Sequence, residues 1–130
     1  NGGTVRVKDL SVWGSKNAIV QTTAGWTKIN AYETAEYYFG DLGTAITDDT
    51  STVRIGIEPL FNETVNTNIP YQVFVTSYGK GYDWVAERGS NYFVIKSSMP
   101  KLEIGDEIKA KRKGYENVRV EIDEHMEVNK

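Results

Sequence analysis

Residues 71–78 read Tyr71-Gln72-Val73-Phe74-Val75-Thr76-Ser77-Tyr78. Apolar and aromatic side chains occupy both alternating sets: Tyr71, Val73 and Val75 on one, Phe74 and Tyr78 on the other. A period of two with both faces apolar predicts a central β-strand covered on each side. Gly79-Lys80-Gly81 turns the chain. Asp83-Trp84-Val85-Ala86-Glu87-Arg88 then pairs back as a hairpin. Gly89-Ser90-Asn91 turns it again, and Tyr92-Phe93-Val94-Ile95-Lys96 is a second doubly covered strand. Short glycine-containing loops between such runs predict an antiparallel meander.

The same texture extends to both sides. Val53, Ile55 and Ile57 alternate with Arg54, Gly56 and Glu58, a strand with one wet face. Pro59-Leu60-Phe61-Asn62-Glu63-Thr64 predicts one helical turn, because proline is tolerated at the first helical position. Residues 97–105 read as a looser connector around Met99-Pro100. Residues 107–113 form a strand with Ile108 and Ala110 inward and Lys109, Lys111 and Lys113 outward. Val118 and Val120 add a short strand. Upstream, Tyr37-Tyr38-Phe39 is a bulky strand ending at Gly40, and Asp48-Asp49-Thr50-Ser51 is a polar turn. The fold class is all-β: a compact antiparallel β-sandwich or barrel-like domain over residues 34–122, followed by a polar tail, 123–130.

Residues 1–33 are different. Val5 and Val7 alternate with Arg6 and Lys8, and Leu10 and Val12 continue the pattern, which predicts a half-buried strand over residues 4–8. Residues 17–22 and 27–33 predict two more strands. These strands are thin, rich in Thr, Gly and Asn and poor in aromatic mass. Too little apolar surface for a core of their own predicts shelter against sister copies. The oligomer contacts are then Val5, Val7, Leu10, Val12, Ile19 and Val20.

The bulk composition narrows the functions. A chain of 130 residues is one domain in size and long enough to bury a core without staples. The net charge of −3 gives no global attraction to nucleic acid or an anionic membrane. Zero cysteines remove disulfides, zinc–thiolate sites and thiol nucleophiles. That fits a cytosolic origin, or a particle assembled there. No apolar run reaches the roughly 18 residues that cross a bilayer. No secretory leader pattern opens the chain. The start at Asn1 suggests the C-terminal piece of something longer.

Candidate chemistry is sparse. The single histidine, His125, lies in the charged tail, whereas a catalytic triad needs a base held by packing. Glu33, Glu36 and Asp41 cluster in sequence, but a glycosidase pair needs two carboxyls roughly 5–10 Å apart in a cleft. Asp48-Asp49 reads as a turn pair; a calcium ion there is a weak alternative, since the Asp-x-Asp-x-Asp-Gly pattern is absent. No catalytic residue, metal or cofactor is assigned. Lys109, Lys111, Arg112 and Lys113 read as a solvated strand face or lysine-protected edge rather than a nucleic-acid stripe. The aromatics are the best lead. Tyr78, Tyr82 and Trp84 surround a glycine-rich turn, where rings stack on sugars, although interface packing uses the same residues. Trp13 and Trp26 flank other turns.

Five segments carry a resemblance, in this order. Gly14-Ser15-Lys16-Asn17-Ala18-Ile19-Val20-Gln21-Thr22 leads to residues 31–43, then Ile57-Glu58-Pro59-Leu60-Phe61-Asn62-Glu63-Thr64-Val65-Asn66-Thr67, then residues 71–76. Ile108-Lys109-Ala110-Lys111-Arg112-Lys113-Gly114-Tyr115-Glu116 closes the series. Together they resemble a C-terminal module of phage and prophage tail-fibre and tail-tip proteins, also seen at the ends of large bacterial surface proteins. The resemblance covers about residues 14–121. It implies a structural or adhesive fibre-end domain, a homotrimer, located on a virion or a bacterial cell surface, with possible contact to a host cell-surface glycan. It implies no active site. A glycan-binding receptor module and a self-cleaving assembly chaperone, with Asn1 at the cut, are the alternatives.

Overall fold

The computed structural model describes residues 2–126. The chain divides into two compact units, Asn1–Glu33 and Thr34–Lys130. Among the described residues it has eight strands, all paired antiparallel, and one short helix.

The first unit is a single hairpin. Strand β1, Asn17–Thr22, pairs with β2, Gly25–Asn30, from Asn17 opposite Asn30 to Thr22 opposite Gly25. Gly25 takes a φ of 109°, which favours glycine after the two-residue loop. The Thr22 hydroxyl accepts from Ala24 N and lies 2.9 Å from the Thr27 hydroxyl, which knits the turn. The strand expected over residues 4–8 does not form. Residues 2–16 contain no strand, and Val5, Val7, Leu10 and Val12 are exposed. Alternation alone does not make a strand: without a partner, its backbone groups bond water instead.

The second unit holds two three-stranded sheets. One has the order β3-β8-β5 (Tyr38–Ile46, Glu103–Lys111, Gln72–Ser77), the other β4-β7-β6 (Thr52–Gly56, Tyr92–Ser97, Asp83–Arg88). Their inner faces share one core containing Ile57, Val65, Tyr71, Phe93, Ile95, Leu102, Ile104, Ile108 and Ala110. This is a sandwich-like pair of layers with no closed barrel. The period of two explains it. Along β8, Ile104, Ile108 and Ala110 point inward, while Glu103, Glu107, Lys109 and Lys111 alternate outward.

The connections differ from a meander. Strand β5 pairs with β8, not with β6. Within the second unit, only β6 and β7 form a hairpin within one sheet, with a register shift between Val85 and Glu87. The chain therefore crosses between layers after β3, after β4, after β5 and after β7. Strand β3 does not end at Gly40 but runs through Gly40 and Gly43 to Ile46. Strand β8 starts at Glu103, inside the stretch read as a connector. Strand β5 is an edge strand, and its Phe74 side lies on the outer face of the two-layer sandwich, open rather than covered.

Buried polar bonds pin the crossings. The Thr47 hydroxyl accepts from Ser97 Oγ and from Leu102 N, each at 2.9 Å. Thr47 N donates to Leu102 O at 3.0 Å. Helix α1, Pro59–Thr64, is capped by Glu58, whose Oε2 accepts from Phe61 N at 2.7 Å. The two most distinctive sequence segments meet here. Val65 bridges Arg112, Asn66 N donates to Lys111 O, and Lys113 N donates to Thr64 O. Asn66 Nδ2 donates to Glu116 Oε2 at 3.0 Å. The Glu-Thr-Val-Asn-Thr connector and the Lys-Arg-Lys-Gly-Tyr-Glu ending are thus two halves of one structural clasp.

Candidate functional site

The acidic candidates of the second unit acquire definite surroundings. Asp48 Oδ1 accepts from Thr50 N, Thr50 Oγ1 and Thr52 N, which holds its carboxyl below the usual range and makes it a turn brace. Glu36 accepts from the Tyr38 hydroxyl and faces Lys111 and Arg119 at 3.4 and 3.6 Å. These contacts, the Tyr38 bond first, lower its pKa. Asp41 lies on the inner face of β3, diagonal to Asp106 on β8. Glu33 belongs to the first unit and pairs with Lys16. The sequence cluster Glu33, Glu36 and Asp41 is therefore not one site. His125 is exposed in the tail. Asn1 and residues 127–130, which include half of the polar tail, lie outside the described residues.

Asp106 carried no signal in the sequence. It is 8% exposed and points between the sheets. Gly43 stands opposite it, and a Cβ at Gly43 would meet its carboxylate at 3.2 Å. Asp41, Glu58 and Asp106 line a small cavity with Ile55, Phe93 and Ile108. Among the described residues, no hydrogen bond reaches the Asp106 carboxylate. Burial, and then the Asp41 charge, raise its pKa. No group of three acids converges there as a metal cluster among the described residues.

A concave surface lies on the outer face of sheet β3-β8-β5. The register sets it out in cross-strand rows. Leu42, Glu107 and Phe74 form one row, and Thr44, Gly105 and Thr76 the next. Ile46 and Glu103 form the third, with Tyr78 beside them through its N–H bond to Glu103 O. Gly105 is the floor. A side chain there would displace the Tyr78 ring, which a Cβ would approach to 2.9 Å. The resulting groove is about 540 Å³. Phe74 and Tyr78 are 53% and 62% exposed.

The three predicted glycan contacts are only partly together. Tyr82 and Trp84 stack with centroids 6.0 Å apart. Trp84 is on the outer face of the other sheet, opposite Lys96, while Tyr78 lies on Gly105. The groove residues Leu42, Phe74 and Glu107 were missed in the sequence, since their adjacency depends on β5 pairing with β8. Lys109 and Lys111 face outward as expected, with Lys109 beside Glu107 at 3.6 Å. Arg112 lies over the Tyr115 ring at 4.3 Å, and Tyr115 packs on Tyr37. The basic stripe is thereby built into the clasp.

In the hairpin unit, apolar residues are split between two faces. Ala18, Val20 and Ile29 share one; Ile19 and Trp26 share the other. None is buried, and Trp26 is 73% exposed. Compared with known proteins, the chain matches no protein-family model, no curated protein and no solved structure.

Proposed function

We propose that the chain is a non-catalytic, self-associating attachment domain: the C-terminal domain of a phage tail fibre or tail-tip protein, forming a homotrimer on a virion or at a bacterial surface. One observation carries the reading. The β1–β2 hairpin has two apolar faces and nothing of its own to cover either. An isolated two-stranded hairpin is marginal in water. A two-fold dimer uses one self-complementary patch and would leave the second face bare. A closed three-fold ring uses two different patches on each copy, which is what this hairpin offers. Val5, Val7, Leu10 and Val12 extend the available contact along the preceding segment. The clasp and the capped helix support a rigid, inert body, because they give the distinctive residues structural work.

Light scattering coupled to size-exclusion chromatography tests this. The expected mass is three times 14.6 kDa. A stable monomer at micromolar concentration would refute the proposal.

A further inference from the structure

We infer that the groove on the outer face of sheet β3-β8-β5 is a saccharide-binding site. This deepens the attachment reading and rests on it: it names what the domain would attach to. The chemistry of the groove matches a sugar ring on each count. A sugar presents an apolar C–H face and a rim of hydroxyls. Phe74 and Tyr78 present open aromatic faces of the kind that stack on such a ring. Thr44 and Thr76 stand on either side of Gly105, and among the described residues neither hydroxyl has a partner. Glu107 adds a carboxylate, an acceptor for sugar hydroxyls and stronger than a neutral one.

The shape agrees as well. Gly105, between the threonines, has no side chain, and the Tyr78 ring lies against it and walls one end of the groove. The Tyr78 ring lies against Gly105, opposite Thr76 and two residues along the strand from the Phe74 row, so roughly 7 Å separates the two rows. That is the scale of one sugar ring. The volume of about 540 Å³ falls within the usual range for small-ligand sites. Glu107 favours neutral sugars over sialylated or uronic ones, since an anionic sugar would meet like charge. Lys109, paired to Glu107, closes the same face at one end.

The test is a glycan array carrying neutral hexose and N-acetylhexosamine oligomers alongside acidic ones, probed with the full chain. The strongest binder is then titrated by amide chemical-shift mapping. Neutral oligosaccharides are expected to bind, with shifts centred on Thr44, Thr76, Tyr78 and Gly105. Tyr78→Ala should weaken binding at least about tenfold. Thr76→Arg, which blocks the groove from the surface without touching the core, should abolish it. Lys96→Ala, on the other sheet, should change nothing. Mass measured on each variant separates this inference from the attachment reading: binding lost with the trimer intact supports the groove, whereas a monomer that still binds retains the groove and refutes the trimer. The inference is overturned if no printed glycan binds, if shifts centre on Tyr82 and Trp84, or if Thr76→Arg binds normally.

Discussion

Replacing Asp106 with asparagine should stabilise the protein at neutral pH, against the usual expectation for a substitution inside a sandwich. The side chain is 8% exposed, has no hydrogen-bond partner among the described residues, and feels Asp41 across the strand pair. A buried polar group without a partner costs about 1–3 kcal/mol, and a charged one more. Asparagine keeps the shape beside Gly43 and removes the charge. Asparagine's amide still lacks a partner, so the gain is only the excess cost of the charge over a neutral polar group, on the order of 1 kcal/mol, with each kcal/mol raising Tm by roughly 4–8 °C for a body of this size. The sign with pH follows from the raised pKa. The folded protein disfavours the charged carboxylate, so the penalty is fully present above the folded pKa of Asp106. It is relieved as pH falls through that value and is gone below the unfolded one. Wild-type stability should rise on mild acidification, while Asp106→Asn should lack this component. Asp83, whose Oδ2 is buried without a partner, has a pKa raised by burial and contributes in the same direction to both proteins. At lower pH the order reverses. Glu36, Asp48 and Glu116 have lowered pKa values, so their contribution is lost as pH falls through the folded values. Thermal melts of both proteins from pH 4 to 8 check this. A Tm difference that stays constant across the range would refute the reasoning, because it would mean Asp106 does not titrate differently on folding.

The other predictions concern the crossings, the clasp and the hairpin. Thr47→Val keeps the side-chain shape but strips the acceptor from Leu102 N–H inside the core; it should cost about 1–3 kcal/mol by chemical denaturation, and a loss under 0.5 kcal/mol would contradict the assigned bond. Asn66→Ala removes the link to Glu116 and should cost roughly 1 kcal/mol, with faster amide exchange at Gly114, whose N–H bonds to the same carboxylate. Ile19→Asn and Val20→Asn lie on opposite hairpin faces, so each alone should break a three-fold assembly in sedimentation experiments; if only one does so, the interface uses a single face and is two-fold.

Strand positions and their inward residues were legible because alternation is a local property. Val53 and Ile55, Val73 and Val75, Phe93 and Ile95, and Ile108 and Ala110 all take the inward side that their spacing implies. The pairing of those strands was not legible. A short glycine turn such as Gly79-Lys80-Gly81 suits a hairpin, but here it carries the chain from one layer to the other, and the Tyr82 N bond to Ser98 Oγ holds that course. Glycine was also misread for a physical reason. Gly40 and Gly43 weaken a strand taken alone, yet β3 continues through them because β8 supplies the ladder and Asp106 occupies the room beside Gly43. Gly105 does the same on the outer face, where its missing side chain admits the Tyr78 ring.

The groove illustrates why sites are harder to read than cores. A core residue is marked by its own chemistry, whatever strand it faces. A groove residue gains meaning only from its cross-strand neighbours, and those neighbours are set by register. Leu42, Glu107 and Phe74 are separated by 32 and 33 positions in the chain and become one row only when β3 and β5 flank β8. Shifting β5 by a single residue would turn Phe74 and Thr76 inward and expose Val73 and Val75. The buried valines therefore do more than fill the core. By fixing the register of an edge strand, they fix which aromatic rings look outward, and so the same packing that stabilises the sandwich also lays out the groove on its outer face.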